Sequence, residues 1–199
     1  MTLGPPAAPR AGLLILAAGL LVGLALGLVV FGGWPALPGA GSLPALPFGG
    51  PTATPAPAPV LSAPAPEFAL EDLTRTPVSL SGLRGQVVLI NFWATWCAPC
   101  RIEMPALQRR YEQYQAQGFT VLAVDADEPS ADVSAFARAY LLTFPVLLDP
   151  GLKVNDLYRV RGYPTSYFVD RAGFIRVVHI GSMSDAQLDA YLQTLGLGG

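Results

Sequence analysis

Cysteine and histidine are scarce in this chain of 199 residues, which contains two cysteines and one histidine. Two cysteines cannot build the disulfide framework of a small secreted domain, so they pair with each other or with a cysteine of a partner. A structural zinc site needs four ligands, and His179 is the only further nitrogen or sulfur ligand of that type. A formal net charge of −2 also lacks the basic surplus of nucleic-acid-binding proteins.

Charged side chains are absent between Arg10 and Glu67. Within this stretch, residues 11–31 consist only of Ala, Gly, Leu, Ile, Val and Phe, and as a helix they span about 30 Å, the thickness of the bilayer core. We predict an uncleaved transmembrane anchor here; the alternative, a cleaved signal peptide, normally has a shorter apolar region. Arg10 and the terminal amine place residues 1–10 in the cytoplasm by the positive-inside rule, and the remaining chain outside the cytoplasmic membrane.

Residues 32–66 are rich in proline, glycine and alanine and offer no core-forming pattern. Such chains favour extended polyproline II, which predicts a solvated linker. Charged residues return from Glu67 onward, and residues 67–199 are long enough to bury the core of an ordinary domain.

Apolar patterning in residues 67–199 alternates between strand and helix periods. We predict a short hairpin, three strands each followed by a helix, a second hairpin, and a final helix capped by Ser184. This order indicates an α/β fold with a mixed central sheet flanked by helices. The predicted strands are 68–70, 77–80, 87–92, 119–125, 144–149, 165–170 and 174–180, and the helices are 101–117, 131–140 (capped by Ser130), 152–158 and 185–195.

The two cysteines, Cys97 and Cys100, lie between a predicted buried strand and a predicted helix. The apolar residues of this helix that recur near one face, and are therefore expected to be buried, are Ile102, Leu107, Tyr111 and Tyr114. Free N–H groups and the helix dipole favour a thiolate at a helix N-terminus, so Cys97 is the candidate nucleophile. Cys100 follows one turn later on the same face, within reach of a disulfide with Cys97. We expect Cys97 to be exposed and Cys100 to be buried. The alternative is an inert structural disulfide, although a bridge closing so short a loop constrains little of the unfolded chain.

A longer motif surrounds these cysteines. Trp96-Cys97-Ala98-Pro99-Cys100 resembles the thioredoxin-fold motif, and the segment 91–105 (NFWATWCAPCRIEMP) resembles membrane-anchored thiol-disulfide oxidoreductases of the TlpA/ResA type. The segment 160–165 (VRGYPT) matches that family's Gly-X-Pro-Thr loop. The resemblance covers residues 67–199 and implies a thioredoxin-like fold with an N-terminal β-hairpin extension.

The resemblance also assigns roles to Glu103 and Asn91. Thioredoxin has a buried aspartate where this chain has Asn91, whereas the resembled family has a glutamate three residues after the second cysteine, which is Glu103 here. Glu103 lies on the same helix face as Cys100, and burial would raise its pKa so that it exchanges protons with that cysteine. The alternative is a solvated glutamate near a helix N-terminus.

The proline loop carries the expected substrate contacts. The resemblance implies a cis peptide between Tyr163 and Pro164, in a loop that faces the cysteines and pairs with the substrate chain; the alternative is an ordinary trans turn. Trp96 is expected on the surface beside Cys97. Ala98 and Pro99 offer the thiolate no donor or charge, so the pair should be more reducing than that of DsbA, which carries a histidine there.

Together these features predict a membrane-tethered thiol-disulfide oxidoreductase that reduces protein disulfides outside the cytoplasm and uses its own cysteine pair, with no further cofactor or metal. The resemblance implies apocytochrome c among the substrates and an electron donor of the CcdA or DsbD class in the membrane. A peroxiredoxin-like peroxidase needs the motif Pro-x-x-x-Thr-x-x-Cys, but Thr95 stands two residues before Cys97 instead of three. A copper carrier of the synthesis-of-cytochrome-oxidase type needs Cys-x-x-x-Cys, one residue longer than the spacing here.

Overall fold

A seven-stranded β-sheet crosses the part of the chain that this computed structural model describes, residues 58–198. Its spatial order is β2-β1-β5-β4-β3-β6-β7, with parallel pairs β3/β4 and β4/β5 and antiparallel pairs elsewhere. The predicted mixed sheet is therefore confirmed, and the first hairpin lies at one edge. The strands are β1 (Ala69–Asp72), β2 (Pro77–Ser79), β3 (Val87–Trp93), β4 (Phe119–Asp125), β5 (Val146–Leu148), β6 (Thr165–Val169) and β7 (Ile175–Ile180).

Four helices accompany the sheet: α1 (Ala98–Tyr114), α2 (Ser130–Ala139), α3 (Lys153–Leu157) and α4 (Asp185–Thr194). Ser184 caps α4 as predicted, in a reciprocal capping box with Gln187. The predicted cap at Ser130 is wrong, because α2 begins one residue earlier. Pro129 is the N-cap there, and its carbonyl accepts the N–H of Val133 at 3.2 Å.

The central strands β3 and β4 are buried along their whole length. Branched and aromatic side chains suit such positions because they pack well on a pleated surface. Since successive side chains point to opposite faces, Leu89 and Trp93 join the core cluster that contains both cysteines, whereas Ile90 and Phe92 join the cluster on the other face. The sheet thus has a core on each side, and β3 delivers the chain to Cys97.

Helix α1 buries most of the face predicted for it. Leu107 and Tyr114 are buried and Tyr111 is half-buried, but Ile102, which was predicted on the same face, is 77% exposed. Cys100, Glu103 and Met104 are buried together with Leu107, with the i, i+3, i+4, i+7 spacing of one helix face. The prediction failed because hydrophobicity alone selected Ile102, while the buried stripe contains a glutamate.

The folded unit begins before Glu67. The N–H of Ser62 donates to the carbonyl of Ile175 at 2.8 Å, and the hydroxyl of Tyr158 donates to the carbonyl of Pro66 at 2.7 Å. Ala65 is also buried. The last residues of the predicted linker therefore belong to the fold, because their backbone groups find partners in the neighbouring β-hairpin and the core.

Residues 1–57, which include the predicted cytoplasmic terminus, the predicted anchor at 11–31 and most of the predicted linker, lie outside the described residues. Within residues 58–198, none of the helices combines the length and the apolar character required to cross a bilayer.

Candidate active site

Cys97 occupies the N-cap of α1, and the short segment from Ala94 to Trp96 connects it to the end of β3. It forms a disulfide with Cys100, and the two Cα atoms are 5.3 Å apart. The N–H of Cys100 points at the Sγ of Cys97 across 3.3 Å. A thiolate at Cys97 would receive this N–H and the positive end of the helix dipole, which both stabilise negative charge.

Cys97 is less accessible than predicted, whereas Cys100 is buried as predicted. Cys97, which was predicted to be exposed, is 5% exposed, and Cys100 is fully buried. The disulfide draws Cys97 toward its buried partner, and both side chains belong to the core cluster with Trp93 and Ala94. Cys97 nevertheless remains the more accessible of the two, as the assigned order of attack requires.

Glu103 is buried behind the disulfide, on the inner face of α1, with 2% of its surface exposed. Burial raises the pKa of this carboxyl to about 7, against two hydrogen bonds that lower it. One comes from the Asn91 side-chain amide at 2.8 Å and the other from the Met183 N–H at 3.1 Å. The expected burial is therefore confirmed, and a carboxyl that titrates near neutral pH lies on the same helix face as Cys100.

Asn91 connects three elements around this carboxyl. Its Nδ2 donates to Glu103 Oε1 on α1 and to Ser166 Oγ on β6, at 2.8 and 3.0 Å. Its Oδ1 is buried without a hydrogen-bond partner among residues 58–198. An amide at this position orients Glu103 through donation and brings no charge of its own.

Trp96 and the proline loop border the disulfide. Trp96 is 67% exposed and meets Tyr163 edge to face, with 5.9 Å between ring centroids. The peptide between Tyr163 and Pro164 is cis, as expected. The Tyr163 hydroxyl donates to Asn155 Oδ1 at 2.9 Å, which fixes the ring beside a shallow cavity of about 500 Å³ that Trp96 also lines.

The backbone of Tyr163 is available for pairing. Neither its N–H nor its carbonyl hydrogen-bonds to another residue of the described part of the chain, whereas the carbonyl of Pro164 accepts the N–H of Gly181 at 2.8 Å. Exposed Ala98 and Pro99 complete an apolar surface around the disulfide. A backbone donor and acceptor beside an apolar surface can bind an extended peptide by strand addition.

The side chains of Thr95, Asp125 and Glu128 also contribute to this region, and none of them was predicted as a site residue. Glu128 accepts hydrogen bonds from the N–H and the hydroxyl of Thr95, and its own N–H donates to Asp125. Asp125 ends β4, and Glu128 stands 33 positions after Thr95 in the chain. The only sequence signal for this contact is an acidic residue in the loop after a strand that pairs with β3.

No group of three or more His, Cys, Asp and Glu side chains within residues 58–198 is placed to hold a metal ion. His179, the one histidine, faces the Tyr191 hydroxyl, with 3.1 Å between Nδ1 and the oxygen.

Comparison with known proteins agrees with this geometry. The model of the AhpC/TSA family matches residues 61–178. The thiol-disulfide oxidoreductase ResA of Bacillus cereus is 40% identical over 131 residues, which cover 66% of this chain and 76% of that protein.

Solved structures show the same fold. A Chlorobium tepidum protein described as the thiol:disulfide interchange protein DsbE superposes with a TM-score of 0.63 at 36% identity, over 69% of this chain and 96% of that one. The exposed lipoprotein thioredoxin of Streptococcus pneumoniae superposes with a TM-score of 0.59 at 28% identity, over 65% of this chain and all of that one, a coverage of 100%.

The chain thus shares extensive identity with ResA. It also combines a thioredoxin-like sheet with a Cys-x-x-Cys pair at a helix N-terminus and a cis-proline loop beside that pair. The chain belongs to the AhpC/TSA family of thioredoxin-like proteins and is a thiol-disulfide oxidoreductase of the ResA type.

Proposed function

We propose that this protein reduces disulfides in protein substrates outside the cytoplasm, with Cys97 as the attacking cysteine and Cys100 as the resolving cysteine. The observation that carries this proposal is the position of the disulfide. It lies beneath an apolar surface that contains Trp96 and beside the free backbone groups of Tyr163. Such a surface suits an extended peptide rather than a small peroxide.

The proposed reaction starts from the reduced enzyme. The Cys97 thiolate attacks one sulfur of the substrate disulfide; a bond forms between them, and the other substrate sulfur leaves as a thiolate. Cys100 then loses its proton to Glu103 and attacks the Cys97 sulfur, which releases the second substrate thiolate. The substrate gains two electrons, the enzyme is left with the Cys97–Cys100 disulfide, and solvent protons neutralise the released thiolates.

The residues between the cysteines support a reducing direction. Ala98 and Pro99 are exposed and bring neither a charge nor a side-chain donor to Cys97. A reduced form without such stabilisation is a better electron donor than that of DsbA. An external dithiol must therefore restore the reduced enzyme, and we assign this task to a membrane protein of the CcdA or DsbD class.

Location and substrate follow from the same proposal. Residues 11–31 supply a single-pass anchor in the cytoplasmic membrane, and the similarity to a lipoprotein described as exposed supports a catalytic domain outside it. Apocytochrome c is the proposed substrate class, because its haem-binding cysteines must be reduced before haem attachment. A membrane-impermeant maleimide applied to intact cells should modify Cys97 in the reduced full-length protein; labelling only after lysis would contradict this location.

Trapping tests the cysteine roles and the substrate together. In Cys100→Ser the mixed disulfide cannot be resolved, so the substrate should remain on Cys97 and be identifiable by mass spectrometry after non-reducing electrophoresis. The matched control, Cys97→Ser with Cys100→Ser, should trap nothing. Equal trapping by Cys97→Ser alone would reverse the assignment, and capture of no protein carrying a cysteine pair would contradict the substrate class.

A thiol peroxidase is the second candidate, and the AhpC/TSA family match is the observation that favours it. Insulin reduction and peroxide turnover, measured on the same preparation with the same dithiol donor, separate the two functions. We expect insulin reduction to be the faster reaction. Faster peroxide turnover would favour the peroxidase, and stoichiometric copper binding with neither activity would favour the copper carrier.

A further inference from the structure

Glu128 holds the segment that leads into Cys97. Its two carboxyl oxygens accept hydrogen bonds from the N–H of Thr95, at 2.6 Å, and from the Thr95 hydroxyl. The next turn is closed by the Cys97 N–H, which donates to the Ala94 carbonyl at 3.2 Å. The position of the Cys97 backbone thus depends on an acidic side chain that arrives from the loop after β4.

Asp125 lies behind Glu128 and is fully buried at the end of β4. Its Oδ2 accepts the N–H of Glu128 at 2.8 Å, and its Oδ1 is buried with no hydrogen-bond partner among residues 58–198. Both oxygens of Glu128 are occupied by Thr95. A proton on the orphaned Oδ1 would therefore displace none of the hydrogen bonds that the pair accepts among residues 58–198.

Burial, and then the adjacent Glu128 carboxyl, raise the pKa of Asp125 to about 7. Glu128 is half-buried beside the buried Asp125, and a second negative charge next to the first is disfavoured, so such a pair retains one proton to a higher pH than a single carboxyl. The charged and titratable side chains around the pair, on β1, the β4–α2 loop, the β5–α3 segment and the loop before β6, are Glu71, Asp127, Asp149, Lys153, Asp156 and Tyr163.

We propose that Glu128 is a positioning residue of the redox site, and that the Asp125–Glu128 pair fixes Thr95, and through it Cys97, by sharing one proton. With the proton in place, Glu128 keeps its charge on Thr95 and no second charge opposes it. When the proton leaves, the negative charge of Asp125 repels that of Glu128, and the hydrogen bonds between Glu128 and Thr95 are weakened. The inference rests on the proposed role of Cys97 as the attacking cysteine.

Trp93 provides a reporter for this proton. It pairs with Asp125 in the parallel register of β3 and β4, so both side chains leave the same face of the sheet at adjacent positions. Its indole N–H is buried and has no hydrogen-bond partner in the described part of the chain. The indole ¹H–¹⁵N signal of Trp93 should therefore shift when Asp125 ionises.

The first experiment measures alkylation of Cys97 by iodoacetamide between pH 5 and 9, in the full chain carrying Cys100→Ser. Glu128→Gln should slow this reaction by on the order of tenfold at its thiolate plateau, because a misplaced reacting atom loses reactivity even when it is ionised. Asp127→Asn is the matched control, since it removes one negative charge from the same exposed loop without touching Thr95, and it should change the rate less than twofold. Equal rates in both variants at every pH would overturn the positioning role.

The second experiment follows the Trp93 indole signal in the oxidised full chain, where the cysteines do not titrate. We expect a midpoint near pH 7 that survives in Glu103→Gln and disappears in Asp125→Asn. A titration that survives Asp125→Asn would overturn the shared proton. Failure of the proposed substrate assays would leave both readouts intact, because neither uses a protein substrate.

Discussion

Two buried carboxyl sites flank the disulfide, and they differ in what surrounds the acid. Glu103 is a single carboxyl held by the Asn91 amide and the Met183 N–H. Asp125 has a second carboxyl, Glu128, as its neighbour. Burial raises both pKa values to about 7, yet only Glu103 shares a helix face with a cysteine. In the proposed mechanism, similar proton affinities therefore serve different tasks: Glu103 exchanges a proton with Cys100, whereas Asp125 holds a proton so that Glu128 keeps its charge on Thr95.

The largest expected effect comes from removing the proton acceptor beside Cys100. Glu103→Gln should slow release of the substrate from the mixed disulfide by about 10²–10⁴-fold, the usual contribution of general acid–base catalysis. Attack by Cys97 should change far less, because Cys97 is the N-cap of α1, whereas Glu103 and Cys100 lie on the same helix face. Stopped-flow mixing with a fluorescent peptide disulfide separates the two steps.

The control for this variant is Glu112→Gln, the same substitution at a residue further along α1. The Glu112 carboxyl accepts a hydrogen bond from the Gln108 side-chain amide. It should leave both steps at the wild-type rate. If Glu103→Gln releases substrate at the wild-type rate with an unchanged pH profile, the proton of Cys100 goes to water and the two carboxyl sites do not differ in the proposed way.

Stability should show the next largest effect. Folding raises the pKa of Glu103 from 4.5 to about 7, so the native state binds more protons than the unfolded state between these values. The contribution of Glu103 to the free energy of unfolding is therefore fully present below about pH 4.5 and is lost as the pH rises through 7. The loss amounts to about 3 kcal/mol for this one group.

Urea unfolding of the oxidised full chain at pH 5 and pH 8 measures this loss. Between these two pH values Glu103→Gln should remove about 2.5 kcal/mol of the pH dependence, and the part that remains should belong to Asp125, whose pKa is raised in the same direction. An unchanged slope in Glu103→Gln would show that this carboxyl is ionised in the folded protein throughout the range.

The sequence predicted the first of these carboxyl sites and missed the second. Cys97, Cys100 and Glu103 lie within seven consecutive positions, so helix geometry places them together. Glu128 reaches Thr95 across 33 positions, and that contact depends on the parallel register of β3 and β4. Local spacing carries information about one helix, whereas contacts between loops require the tertiary structure.

The errors in the fold have a similar origin. Alternating apolar residues and continuous apolar runs located every strand and every α-helix of the described region. They gave the wrong burial where the hydrophobicity of a residue or its neighbours in the sequence is misleading. Ile102 is apolar but exposed, and Ala65 belongs to a proline-rich run but is buried. In each case the outcome depends on which surface a distant part of the chain covers.

The smallest expected effect comes from making the first carboxyl site resemble the second. Asn91→Asp would put a carboxyl beside Glu103 and remove the donor that now lies 2.8 Å from Oε1. Two buried carboxyls in one place share a proton, so the last ionisation should move above the wild-type value of about 7 by roughly one pH unit, or about 1.4 kcal/mol. Carboxyl ¹³C chemical shifts of the oxidised full chain, followed from pH 4 to 10, measure this directly.

Ser166→Ala is the matched control, because it removes the other acceptor of the Asn91 amide without adding charge, and the titration of Glu103 in this variant should stay near pH 7. If Asn91→Asp titrates at the wild-type pH, the introduced carboxyl is solvated and β3 does not hold position 91 against α1. If the carboxyl pair in Asn91→Asp titrates at a higher pH while substrate release stays fast, deprotonation of Cys100 does not depend on the proton affinity of Glu103.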